Sequence, residues 1–237
     1  ECIIDKDCPR TYGCKPVTPG GPGRCFPPGE GTPDASVADA NDSGASVTVT
    51  VLAIDSLAYH TCALVLGGKV KCWGNNQGGL LGLGDTAFRG DQPGEMGNAL
   101  PYIDLGTGRT VKSLKVGGGN ACVILDNDRI KCWGSVGLGQ GDGLARGDEP
   151  GEMGDALPYV DLGAGRTVNK LSVGTSACVI LDNGGLKCWG YNAEGELGLG
   201  DKLFRGGQPG QMGDALPYVD LGTGRTAKVV INSSNGT

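Results

Sequence analysis

Cys62-Ala63-Leu64-Val65-Leu66-Gly67-Gly68-Lys69-Val70-Lys71-Cys72-Trp73-Gly74 decides the fold, because the chain writes this pattern three times. It returns as Cys122-Val123-Ile124-Leu125 followed by Lys131-Cys132-Trp133-Gly134. It returns again as Cys178-Val179-Ile180-Leu181 followed by Lys187-Cys188-Trp189-Gly190. The three tryptophans lie 60 (133 − 73) and 56 (189 − 133) positions apart. A period of that size is one supersecondary unit that cannot bury its own faces and must stack on copies of itself.

Within each copy the two cysteines are separated by 10 (72 − 62, 132 − 122, 188 − 178). In the middle copy Asp126-Asn127-Asp128 makes a three-residue hairpin loop centred on Asn127, which sets Cys122 opposite Cys132. Loops centred on Gly67 and Asn183 do the same for Cys62 with Cys72 and for Cys178 with Cys188. A disulfide across each hairpin is the expectation, with buried free thiols as the alternative. Four short strands are expected per repeat. For the middle one they are Val111–Val116, Ala121–Leu125, Arg129–Trp133 and Pro158–Leu162. Upstream, Val47-Thr48-Val49-Thr50-Val51 alternates and is β-branched, and is read as the first strand of the array.

The connection after each tryptophan is repeated too. Arg89–Tyr102 recurs as Arg146–Tyr159 and Arg205–Tyr218, and each copy runs on into Asp-Leu-Gly-x-Gly-Arg-Thr (Asp104–Thr110, Asp161–Thr167, Asp220–Thr226). Pro and Gly set its turns, while Met, Leu and Tyr are expected to pack inward. It reads as a structured loop.

Three units follow: residues 1–26, a cysteine-rich module; 27–46, a Pro/Gly/Asp/Ser linker; and 47–237, three repeats (about 47–110, 111–167 and 168–226) with a C-terminal strand at Lys228–Ile231. In the first module Cys2, Cys8, Cys14 and Cys25 have almost no apolar residues around them to form a core. Two disulfides are expected there in one of three connectivities, against a zinc site whose ligands would come at closer spacing.

Ten cysteines in an even, regular arrangement point to an oxidising, extracellular setting. The sequons at Asn41, Asn232 and Asn235 agree with export and mark candidate N-glycosylation sites. The chain opens at Glu1 with neither an initiating Met nor a signal peptide, and so reads as a processed product or an excerpt. Apolar runs are too short to span a bilayer as a helix. The formal charge of −6 and the absence of a basic stripe argue against a nucleic-acid groove. The 46 glycines far exceed the usual share of about 7%. They fall at repeat-specific turns, where tight backbone geometry needs them.

The string His60-Thr61-Cys62-Ala63-Leu64 … Val70-Lys71-Cys72-Trp73-Gly74-Asn75-Asn76 … Leu81-Gly82-Leu83-Gly84-Asp85 resembles the regulator-of-chromosome-condensation repeat. That resemblance covers about residues 47–231. It implies an all-β fold of propeller-type blades, one four-stranded antiparallel blade per repeat, usually seven to a ring. Three blades make an incomplete ring and leave edges and blade faces open. The chromatin role of the family's best-known member does not carry over, because the charge has the wrong sign and the cysteines indicate export.

Candidate chemistry is sparse. His60 is the only histidine, so any Ser/His/Asp or Cys/His mechanism would run through it. It stands at a repeat position filled by Asn120 and Ser176 in the other copies, and a packing role is the reading preferred. Asp85, Asp91 and Glu95, with Asp142, Asp148 and Glu152, suggest a calcium cage. The third copy keeps Asp201 but has Gly207 and Gln211 in place of the other two, which argues against a required ion. Arg89-Gly90-Asp91 and Arg146-Gly147-Asp148 spell adhesion tripeptides inside a repeated turn. No cofactor and no catalytic residue is assigned. The expectation is a non-enzymatic extracellular structural scaffold that assembles with copies of itself or with neighbouring surface proteins. The alternative is a secreted protein-binding or inhibitor propeller within a longer chain.

Overall fold

A computed structural model describes residues 13–16, 23–26, 50–135 and 138–232. Two compact units are present, residues 1–47 and 48–237. In the first, β1 (Gly13–Pro16) and β2 (Gly23–Phe26) form an antiparallel hairpin whose register sets Cys14 against Cys25. Cys2, Cys8, Asn41 and Asn235 lie outside the described residues.

The second unit holds three antiparallel sheets of three strands, each following chain order. They are β3 (Val51–Leu57), β4 (His60–Val65) and β5 (Lys69–Gly74); β6 (Val111–Val116), β7 (Asn120–Leu125) and β8 (Ile130–Gly134); β9 (Val168–Val173), β10 (Ser176–Leu181) and β11 (Leu186–Gly190). Regular helix among the described residues is limited to two single 3-10 turns, Gly154–Ala156 and Gly213–Ala215. The all-β class and the incomplete set of propeller-type blades stand as expected.

The hairpin geometry is the expected one. Cys62 pairs with Cys72, Cys122 with Cys132 and Cys178 with Cys188 in register, with each Cα–Cα distance 4.1 Å and each pair joined by a disulfide. The last loop residue is left-handed in all three copies: Gly68 at φ +71°, Asp128 at +58° and Gly184 at +78°. A type I turn closed by such a residue is the usual three-residue hairpin connection.

One strand expectation is corrected here. The segments 101–105, 158–162 and 217–221 join no ladder. Each makes one backbone bond to the third strand of its sheet: Ile103 N to Val70 O, Val160 N to Ile130 O and Val219 N to Leu186 O. Pro at the head of each segment removes a donor, and the Asp-Leu-Gly turn ends it, so a fourth ladder has no length in which to form. The expected strand Val47–Val51 lies outside the described residues at 47–49; Thr50 is in no strand and Val51 opens β3, Val51–Leu57. Its register is set from the other end, by a two-residue turn with Ala58 at φ +57° that pairs Leu57 with His60.

Hydrophobic clusters form between neighbouring sheets. Val111, Leu114 and Val116 of β6 pack with Leu64, Val70 and Leu81 of the first repeat. Val168, Leu171 and Val173 of β9 pack with Ile124, Ile130 and Leu138 of the second. Each first strand therefore completes the face of the sheet before it.

Candidate functional site

The joints between repeats carry a recurring set of buried polar contacts. Lys131 and Lys187 are almost fully buried. Lys131 Nζ donates to Leu105 O at 3.0 Å and to Gly154 O at 2.7 Å. Lys187 Nζ repeats this with Leu162 O at 3.0 Å and Gly213 O at 2.7 Å. In each case one carbonyl belongs to the lysine's own repeat and the other to the Asp-Leu-Gly turn of the repeat before. Tyr159 and Tyr218 lie over these ammonium groups, each ring centre 4.9 Å away. Tyr159 packs against the core as expected, whereas Tyr102 and Tyr218 lie nearly half in solvent; Leu100, Leu157 and Leu216 of the same loops are buried. Burial pushes the Lys131 amine below the ordinary lysine value, with Tyr159, Asp155 and Asp104 opposing that shift.

The same joint has an acidic half. Asp155 accepts from Thr107 N at 3.0 Å and from Thr107 Oγ1 at 2.6 Å, which holds its carboxyl below the ordinary range. Asp214 accepts from Ala164 N at 3.3 Å in the next joint. The tryptophans form the third element. Trp133 Nε1 donates to Leu80 O, and the indoles of Trp133 and Trp189 close over Gly82 and Gly139 of the preceding repeat. A Cβ on Gly82 would lie 2.9 Å from the Trp133 ring, and one on Gly139 would lie 2.6 Å from Trp189 Nε1.

These elements are unpaired at the two ends. Trp73 is only half-buried, and Lys71 Nζ has a single carbonyl partner among the described residues, Gly97 O. Val51 is 53% exposed where its counterpart Val111 is 7%. At the other end Leu221 is 40% exposed where Leu105 is 6%. There a groove of about 450 Å³ opens among Asn183, Tyr218, Asp220, Leu221, Arg225 and Thr226.

Lys228–Ile231, read from sequence as a strand, forms none. Alignment on Gly-Arg-Thr makes Asn232 the counterpart of Val116. Asn232 N donates to Ser172 Oγ at 2.7 Å, as Val116 N donates to Asp55 Oδ2 at 3.0 Å. The segment occupies a first strand's place, and no hairpin among the described residues pairs with it. The amide nitrogen of Asn232, one of the three candidate glycan sites, lies 2.9 Å from Ser176 O.

The remaining candidate residues have structural work. His60 is buried, and among the described residues neither ring nitrogen has a hydrogen-bond partner. Burial pushes its pKa down to about 4 against the pull of Asp55, so the ring is neutral near pH 7 and has no nucleophile bonded to it. Asp85 and Asp201 pair with Arg89 and Arg205 at 2.6 and 2.7 Å, and Asp142 pairs with Arg146. Glu95 caps Gly90 N and Gln92 N, and Glu152 caps Gly147 N and Glu149 N. Gln211 Oε1 caps Gly207 N and Gln208 N in the third repeat. An amide oxygen there closes a turn as the carboxylates of Glu95 and Glu152 do in the other repeats. Both Arg-Gly-Asp arginines are likewise held, by the aspartates four residues earlier and by backbone bridges to Gly74 and Gly134.

Asn76 and Asn192 were not singled out from sequence, yet both are fully buried. Each amide nitrogen donates to three oxygens of the loop after the tryptophan, and each amide oxygen accepts a backbone N–H, from Leu81 and Leu197. The signal was the Trp-Gly-x-Asn spacing shared by repeats one and three.

The family model for the regulator of chromosome condensation (RCC1) repeat matches residues 58–79. The ultraviolet-B receptor UVR8 of Arabidopsis thaliana is 29% identical over 153 residues, which is 64% of this chain and 32% of that protein. The solved structure of human WBSCR16 is 18% identical, covers 70% of this chain and 43% of its own, and superposes with a TM-score of 0.50. Prp20p from Saccharomyces cerevisiae is 19% identical over 65% of this chain and 35% of its own, with a TM-score of 0.47. The chain thus spans about a third of the length of the plant relative. The likeness to the human protein is one of fold.

Proposed function

From a chain built of regulator-of-chromosome-condensation-type repeats, we propose a non-enzymatic extracellular structural protein. Its repeats make a rigid β-propeller-type scaffold of a cell surface, fibre or appendage that assembles through its open blade ends. One observation carries this reading: both halves of the internal joint are displayed unpaired, Val51, Lys71 and Trp73 at one end and the Leu221 groove at the other. Exposed apolar blade surface of this kind favours association. The three hairpin disulfides fit an oxidising compartment. Partners on this reading are other copies or neighbouring surface proteins, with N-linked glycans at Asn41, Asn232 or Asn235, and no nucleic acid. Negative-stain microscopy of the purified chain tests it. Filaments or closed multimers are expected, and monodisperse monomers at micromolar concentration would overturn it.

The open groove at Asp220–Thr226 also favours a second reading, in which a following blade of a longer chain fills it. The protein would then be a secreted binding or inhibitor propeller, monomeric, with its loops presented to a protein partner. Further repeats encoded beyond Thr237 would favour that reading over the first.

A further inference from the structure

We propose that the acceptor end of the array is a lysine socket for a second copy of this chain, and that the segment 227–232 is a placeholder seated in it. The proposal rests on the self-assembly reading and specifies its contact. The chain makes the same joint twice, with Lys131 Nζ to Leu105 O and Lys187 Nζ to Leu162 O both at 3.0 Å. The third turn offers the equivalent carbonyl, Leu221 O, together with Gly222 and Thr223 at the positions of Gly106 and Thr107. Among the described residues no lysine reaches that carbonyl. Arg225 Nη1 bonds it weakly at 3.4 Å, whereas the counterparts Arg109 and Arg166 face Asp126 and Asp182 of the following hairpin. Beside it Gly198, the counterpart of Gly82 and Gly139, has only Val219 Cγ1 near its Cβ position and no indole above it.

The other end of the chain supplies what is missing. Among the described residues Lys71 has no carbonyl from a preceding turn and Trp73 has no glycine slot. Asn98, exposed, stands where Asp155 and Asp214 reach back to the turn before. Repeating the internal joint between copies seats Lys71 on Leu221 O, Trp73 on Gly198 and Asn98 against Thr223. One internal contact has no counterpart, since Leu66 stands where Asp126 and Asp182 would meet Arg225, so this joint is weaker than those within the chain.

In that joint β3 of the incoming copy needs the place held by 227–232. The placeholder has no ladder bonds, and Val229 and Ile231 point into solvent, whereas β3 is paired along its length to β4. The placeholder is therefore the element that yields. Its removal tightens association, the opposite of what loss of a contact segment does.

The test uses sedimentation velocity on the full chain and on a chain ending at Thr226, with disulfide trapping in Asn98→Cys/Thr223→Cys. That pair is chosen because Asp155 and Thr107, its internal equivalents, touch side chain to side chain. The proposal expects the shortened chain to associate at least tenfold more tightly. It expects Lys71→Glu to weaken association tenfold or more, and the double-cysteine variant, but neither single one, to give a reducible ladder of multimers. Assembly that continues with no ladder and no effect of Lys71→Glu overturns the socket and leaves self-assembly standing. Monomers in every variant, the shortened chain included, overturn both.

Discussion

The indole N–H of Trp133 donates to the carbonyl oxygen of Leu80 across 3.1 Å, fastening the second repeat to the loop of the first. The contact requires Gly82, which lies under the ring at φ +65°. Left-handed backbone costs an ordinary residue about 1–2 kcal/mol, and a Cβ here would also strike the indole. Gly82→Ala is expected to lower stability by about 3 kcal/mol or more, counting an overpacking cost of about 1–3 kcal/mol. Gly198→Ala, at φ +66° with no indole above it and only the movable Val219 Cγ1 3.1 Å from the new Cβ, should cost mainly the backbone share. Urea unfolding of the two variants checks the difference, and equal losses would remove the tryptophan slot from the account.

Lys131 and Lys71 occupy the same place in successive repeats with different partners. Replacing Lys131 by Met keeps the aliphatic stem but strips a donor from two carbonyls, Leu105 O and Gly154 O. A buried acceptor left unsatisfied costs about 1–3 kcal/mol, so Lys131→Met is expected to destabilise by about 2–4 kcal/mol. Lys71→Met, with one accessible carbonyl at stake, should cost under about 1 kcal/mol. Thermal unfolding of both variants under one buffer gives the comparison.

The hairpin disulfides act on the unfolded chain. Closing a ten-residue loop is worth about 2.5–3 kcal/mol in the chain-entropy model. Cys122→Ala/Cys132→Ala is expected to lower unfolding stability by about that amount while far-ultraviolet circular dichroism keeps its β signature, because the ladder between β7 and β8 does not depend on sulfur. Loss of that signature at room temperature would show that the blade needs the bond to form.

His60 makes stability fall in mild acid. Its pKa is about 4 in the folded protein against 6.5 when exposed, so between these values the unfolded chain binds more protons. Stability contributed by the neutral ring is complete above pH 6.5 and is lost as the pH falls toward 4. The span of the shift corresponds to something on the order of 3 kcal/mol. His60→Asn, which installs the residue type of the second repeat, should flatten the melting temperature between pH 7 and pH 4.5 relative to wild type. An unchanged slope would assign that acid sensitivity to carboxylates such as Asp155 and Asp201, which hydrogen bonds hold below their ordinary range.

Much of the fold was legible because its signals are local and written three times. Equal cysteine spacing around a turn-forming centre specified the opposed pairs 62/72, 122/132 and 178/188, since antiparallel register follows from loop length. The shared Trp-Gly and Asp-Leu-Gly motifs marked blades and connections. Strand number was less legible, because extended backbone and a hydrogen-bonded ladder look alike in a residue pattern. Pro101, Pro158 and Pro217 open segments that read as strands yet make one backbone bond each to the neighbouring strand.

What the sequence by itself determined is the unit: a disulfide-clipped sheet with its loop, repeated. Only the tertiary structure decided what holds unit to unit and where that linkage is left open. Lys131 and Lys187 read as ordinary surface lysines until their carbonyl partners, 23 to 26 residues away along the chain, are brought to them. Lys71 carries the same motif yet stays half-exposed, because no described turn precedes it. Identical strings thus acquire different burial and different partners by position alone. A joint is a property of two neighbours, and a repeat's own residues encode only half of it.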